Sequence, residues 1–221
     1  MKRLNLVGIL AAVLFISTAL FAEIKVTADY NNNATAGKEY KFKRVPSPAK
    51  DDLGAQAKLT MVDGEIDNNS ADLTALTDAR LPVKEDEPAA NFFFNAGTNG
   101  GRFRMDLGAE FEIAQVNTYS WHPNTRGPQV YKLYASAGTD AKFNPAPRDG
   151  VDPAACGWTL IAVVDTRPAQ GDGGGQYGVS ISDPSGIIGK YRYLLFSCIT
   201  NEVDDDYGNT FYSEIDVIGK K

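Results

Sequence analysis

Histidine is almost missing from this 221-residue chain: His122 is the only one, and the cysteines number two. Neither Cys156 nor Cys198 has a CxxC partner or a histidine nearby in sequence, which argues against zinc binding and redox catalysis. HExxH and GxSxG are both absent, so the common metalloprotease and serine-hydrolase signatures are excluded. Basic residues are outnumbered, 22 Lys and Arg against 28 Asp and Glu. A net charge of -6 and a pI near 4.9 leave no cationic surface for a phosphate backbone, so nucleic acid is not an expected partner. The glycine-dense stretch GDGGGQYG at 171–178 lacks the Lys-Ser/Thr ending of a phosphate loop and reads as a flexible turn. Helical periodicity, internal repeats and low-complexity tails are hard to find.

Residues 1–22, MKRLNLVGILAAVLFISTALFA, have the layout of a secretory signal peptide: basic start, apolar run, small residue at the end. An uncleaved N-terminal anchor is the rival reading, and no lipobox cysteine follows the run. The expected location is secreted, periplasmic or cell-surface. An oxidising compartment permits Cys156 and Cys198 to pair, the alternative being two separately buried thiols. The NAT and NNS sequons at 33–35 and 68–70 carry no assignment, because the leader is as much bacterial as eukaryotic in character.

Beyond a lead-in at 23–38, residues 39–221 read as one all-β domain. Short alternating or apolar runs bounded by Gly, Pro, Asn and Asp predict strands at 39–45, 58–63, 101–107, 112–121, 130–136, 158–166, 178–183, 191–200 and 210–218. That number of short segments suits a sandwich of two antiparallel sheets. YRYLLFSCIT is apolar on both faces apart from Arg192 and belongs in the middle of a sheet. YKLYAS has one apolar and one wet face. In TFYSEIDVI, Phe211, Ile215 and Val217 share one face, which turns Glu214 and Asp216 away from the core.

The run of segments KLTMVDGEID, RFRMDLGAEFEIAQVNTYSWHPNTRGPQVYKLYAS, GWTLIAVVDT, GKYRYLLF and TFYSEIDVIG resembles the discoidin domain, the coagulation factor V/VIII type C domain. The likeness spans about residues 39–218. It implies a jelly-roll β-sandwich of the galactose-binding-like type with ligand loops at one end, similar to carbohydrate-binding module family 32. The family is mainly one of binding domains. It also implies a structural Ca2+ between the DG turn at Asp63 and the late carboxylate Glu214, with Asp67 and Ser70 as lesser ligands, an oxygen set that suits calcium. The chain departs from the pattern in having NNSAD at 68–72 where a tryptophan is usual.

The loop WHPNTR gathers Trp121, His122, Asn124 and Arg126, the mixture of aromatic plane and planar polar groups that sugar hydroxyls and sugar faces require. Trp121 reads equally as core and Arg126 as a pin for the loop. The acidic loop TNEVDDDYGNT brings Asp206, Tyr207 and Asn209 as further ligand candidates if it packs beside WHPNTR, and otherwise is solvated. The expectation is a non-catalytic carbohydrate- or glycoconjugate-binding protein, with no catalytic residues. A cell-surface adhesion or protein-interaction module and a small glycan hydrolase are the alternatives.

Overall fold

The structure, a computed structural model, describes residues 23–202 and 208–220. The leader at 1–22 and the loop residues Asp206 and Tyr207 lie outside the described residues. Eight strands are formed among them: β1 Lys25–Asn32, β2 Lys58–Asp63, β3 Gly101–His122, β4 Val130–Ser136, β5 Thr159–Asp165, β6 Gly175–Ser182, β7 Gly189–Cys198 and β8 Tyr212–Gly219. Every ladder is antiparallel. The expected all-β class is the one observed.

Strand β3 builds the architecture. Its first part, Gly101–Asp106, pairs with β2 and β7, whereas Ile113–His122 pairs with β6 and β8. The register shifts between Asp106 and Phe111, around Gly108 at φ 83°, a backbone state that glycine takes without steric cost. One sheet therefore runs β1-β6-β3-β8 and the other β2-β3-β7-β4-β5. Val116, Val179, Ile181, Ile215 and Val217 of the first meet Phe103, Met105, Leu133, Val164, Leu194 and Phe196 of the second in one core. That is a two-layer sandwich.

Several readings change. Residues 25–32, taken above as lead-in, form β1 and pair with β6 along their whole length. The two strands expected at 101–107 and 112–121 are one bent strand. EYKFKRV at 39–45 is not a strand: Tyr40 sits at φ 48°, and the segment lays its side chains over the outer face of the first sheet. There Tyr40 and Val45 cover Tyr119 and Trp121, with Tyr40 meeting the two rings edge-on at 6.1 and 5.9 Å. The wet face expected for β4 is wet only at Lys132, because Tyr134 packs with Trp158 and Leu195. As expected, β7 is central, between β3 and β4.

The cysteines are both free. The Cys156 thiol donates to the carbonyls of Asp152 and Pro153, and Cys198 lies in the core, where burial pushes its thiol up to about 12. The pairing considered above is not made. The stretch 171–178 is likewise no free turn. A Cβ on Gly174 would fall 1.8 Å from the Pro123 carbonyl oxygen, and one on Gly173 would meet Pro128 and Pro168 at 2.7 and 2.9 Å. The glycines let the loop pack as a wedge against the chain after β3.

Candidate functional site

Strand ends β1, β2, β3, β4, β5, β6, β7 and β8 converge at one end of the sandwich through the registers His122↔Gly175, Asn32↔Gly175, Tyr131↔Cys198 and Gly101↔Cys198. The chain leaves β3 at His122 and returns to β4 through a tight loop. Gly127 N–H donates to the Asn124 carbonyl, Ser120 Oγ to the Gly127 carbonyl, and Phe211 N–H to the Arg126 carbonyl. Asn201 Nδ2 and Thr210 Oγ1 both donate to the Pro128 carbonyl from the β7–β8 connection. The loop is thus anchored on both sides, which fixes the side chains that it carries.

Those side chains wall a cavity of about 460 Å³ with Phe93, Phe211, Asp67, Asn69 and Asp86. Phe93 and Phe211 stack at 3.9 Å and 10°. The His122 ring stands edge-on to Phe211 at 4.4 Å, and the Arg126 guanidinium carbon lies 5.6 Å from the same ring's centre. His122 is only 7% exposed. Burial, and secondarily the Arg126 charge, push its pKa down to about 4, so the imidazole is neutral at pH 7. Its Nδ1 accepts a 3.3 Å hydrogen bond from the Asn124 N–H, and the network therefore assigns the ring proton to Nε2 as a donor. Among the described residues, no carboxylate pairs with the Arg126 guanidinium. One wall thus offers a neutral donor, a forked cation and aromatic surface, and the other offers amide and carboxylate oxygens.

Of the ligand candidates read from sequence, His122 and Arg126 meet in this cavity, and the exposed Asn124 sits beside them. Trp121 does not: it points to the opposite face of its sheet, under Tyr40, with its indole Nε1 buried and unbonded. Asn209 is also structural. It is 3% exposed, and its amide donates to the carbonyls of Asn95 and Thr98. Phe93 and Phe211 were missed. Phe93 belongs to the aromatic run NFFFNAG, inside a connection otherwise rich in Pro, Asn and charge, and that run was the available signal.

The oxygen set expected for calcium is dispersed over separate bonding partners. Asp63 accepts from the Asp149 N–H at 2.7 Å and pairs with Arg148 at 3.3 Å. Asp67 accepts from the Asn69 N–H at 2.8 Å. Ser70 Oγ donates to the Ala71 carbonyl and accepts from the Phe93 N–H. Glu214 accepts from the Ala79 N–H at 3.1 Å. Among the described residues no three His, Cys, Asp or Glu side chains gather as metal ligands. Asp63, Asp67 and Glu214 are therefore not gathered as one group of carboxylates among the described residues.

Glu214 has a different setting. It and Asp216 stand on the outer face of the first sheet, opposite Tyr119 and Asn117 of β3, at 1% and 0% exposure. Asp216 accepts from the Ala49 N–H and from Tyr119 Oη, and its Oδ1 has no hydrogen-bond partner among the described residues. Burial, then the charges of Asp216, Asp78 and Asp52, raise Glu214 to about 9; burial raises Asp216 to about 6.

The class that this arrangement defines is a two-layer antiparallel β-sandwich with a cavity in the loops at one end. No family model and no curated protein matches the chain. Solved structures similar to it include chitosan-binding module 1 from a chitosanase/glucanase of Paenibacillus sp. IK-5, at 13% identity and a TM-score of 0.48 over 76% of this chain and 99% of that one. The lectin domain of lectinolysin, solved with Lewis B antigen, is similar at 11% identity and a TM-score of 0.48 over 79% and 100%. SpGH29 is similar at 10% identity and a TM-score of 0.43 over 78% of this chain, which spans 28% of the SpGH29 chain.

Proposed function

We propose that this is an exported domain that binds a carbohydrate or glycoconjugate in the His122–Arg126 cavity without turning it over. One observation carries the reading: a neutral imidazole and a guanidinium without an ion-pair partner among the described residues share a wall with the stacked Phe93–Phe211 pair. Sugar hydroxyls need donors and acceptors in fixed directions, and sugar C–H faces need apolar surface. Nε2–H and the guanidinium supply the donors, while Asp67, Asn69 and Asp86 supply acceptors. A proton-transferring catalyst needs a group whose pKa lies near the working pH, and His122 at about 4 does not meet that need.

The test is titration calorimetry against a panel of mono- and disaccharides with the mature chain and its His122→Ala and Arg126→Ala variants. Binding in the millimolar to micromolar range is expected, as suits a shallow site with few buried contacts. Each variant should weaken it at least tenfold while the melting temperature stays within a few degrees. Retention of full affinity in both folded variants refutes the site, and hydrolysis of the titrant refutes the non-catalytic reading.

A further inference from the structure

The first sheet carries a second cavity that the proposed function does not use. It occupies about 400 Å³ between the end of edge strand β1 and the chain that follows edge strand β5, with walls from Tyr30, Tyr177, Pro168, Gln170, Asp172 and Gly173. Tyr30 is 50% exposed, yet its ring is held: it lies 4.9 Å from the Tyr177 ring, and its hydroxyl donates to the Gly174 carbonyl at 2.7 Å. Tyr177 Oη donates likewise to the Gly173 carbonyl at 2.8 Å. Gly175 gives the Tyr30 ring its place, since a Cβ there would come within 2.6 Å of it. An exposed aromatic ring normally samples several rotamers, whereas this one has lost that freedom before any ligand arrives.

The chemistry of the walls narrows the ligand. Aromatic and prolyl faces stack on apolar C–H surfaces, and Gln170 and Asp172 supply planar polar groups to hydroxyls. Among the described residues no cation lines the cavity and Asp172 is acidic, so an uncharged or N-acylated hexose suits it and an acidic sugar does not.

The register relates this cavity to the first. Asn32, Gly175 and His122 lie in one row across β1, β6 and β3; Tyr30, Tyr177 and Ser120 lie in the next row on the same face. Two strand spacings and two residues separate Tyr30 from His122, about 12 Å between backbones. The loop from Pro123 to Pro128 stands between them as a ridge, with Gly173 and Gly174 packed on its far side. We infer that the two cavities are subsites for one glycan chain: a unit held at His122 and Arg126, and a neutral hexose further along the chain stacked on Tyr30. This inference rests on the carbohydrate reading of the first cavity.

The experiment uses cello-, chito- and galacto-oligosaccharides, each from the monosaccharide to the hexasaccharide, titrated into the mature chain and its Tyr30→Ala, Asp172→Asn and Arg126→Ala variants. In the wild type, affinity should rise with length. Tyr30→Ala should cost about tenfold for the hexasaccharide, the effect of one lost stacking contact, and leave the monosaccharide unchanged. Asp172→Asn keeps the side-chain shape and should affect only the longer ligands. Arg126→Ala should weaken every length. Length-independent wild-type affinity, or a folded Tyr30→Ala variant that binds the hexasaccharide as the wild type does, overturns the second subsite and leaves the first standing. Equal losses for short and long ligands in Tyr30→Ala also overturn it. A wild type that binds no member of the three series at any length removes the carbohydrate reading itself, and the second subsite with it.

Discussion

Glu214→Gln is expected to stabilise the protein at neutral pH. Glu214 is buried on β8 opposite Tyr119, with one backbone N–H as partner and with Asp216, Asp78 and Asp52 nearby, and its pKa stands at about 9 against an ordinary value of 4.5. The fold therefore keeps a proton that the unfolded chain releases. Below pH 4.5 both states are protonated, and the mismatch costs nothing; above it, stability falls as pH rises, until the folded group ionises too. At about 1.4 kcal/mol per pH unit, the loss at pH 7 is on the order of 3 kcal/mol. Glutamine has nearly the same shape, cannot ionise, and retains an oxygen for the Ala79 N–H. The variant should therefore match the wild type near pH 4 and exceed it by about 2–3 kcal/mol at pH 7.

Guanidinium denaturation midpoints at pH 4, 5.5 and 7, in chelator, read this directly. Asp29, Asp63, Asp106 and Asp165 have lowered pKa values and impose the opposite trend on total stability, present above their unfolded values and lost as pH falls. Subtracting wild type from variant at each pH cancels them. A glutamine variant that is less stable than the wild type at pH 7 refutes the reasoning, because Glu214 would then be ionised in the fold and compensated. Repeating the series with calcium would show whether a cation does so.

Three further outcomes are expected. Gly174→Ala places a methyl group against the Pro123 carbonyl and should cost at least 2 kcal/mol by thermal melting, with sugar affinity reduced because the loop bearing His122 must shift. Sugar affinity should be flat from pH 8 to about 5 and fall near pH 4, where His122 gains a charge beside Arg126; calorimetry at fixed ionic strength checks this, and a transition near pH 6.5 would contradict the neutral buried ring. Maleimide should label Cys156 in the native protein and Cys198 only after denaturation, and mass spectrometry showing neither thiol labelled before reduction would indicate a disulfide instead.

The sequence spoke clearly where one strand face is apolar and the other polar. KLTMVD and VYKLYAS have their strand limits as expected, and the two-face apolarity of YRYLLFSCIT placed β7 between two neighbours. β1 went unread although Val26, Ala28 and Tyr30 alternate with Lys25, Thr27 and Asp29; as an edge strand it leaves Val26 and Tyr30 40% and 50% exposed, and the polar run NNN that follows resembles a loop. EYKFKRV misled in the opposite sense. Its alternation is real, but it serves to lay Tyr40 and Phe42 over Tyr119, whereas Asp29 takes up the N–H groups of Arg44 and Val45 that a strand would have paired. In the cavity, the meeting of His122 and Arg126 could be read because both lie in one short loop. Phe93 and Phe211 could not, since their stacking joins positions far apart in the chain. Trp121 pointed the wrong way because a strand alternates faces, and its neighbour His122 already claimed the cavity side.

The antiparallel ladder that joins Lys25 to Ser182 and Asn32 to Gly175 also sets the order in which this protein can assemble. Among the described residues β1 has one neighbour in the sheet, β6, which follows it some 150 residues further along the chain. A nascent chain must therefore carry β1 unpaired until β6 emerges, and closure of the first sheet comes after β2 to β5, with a large loop entropy to overcome. Folding on the scale of milliseconds to seconds, rather than microseconds, follows from that topology. So does a simple vulnerability: before β6 emerges, the β1 edge is open to any other extended chain that meets it.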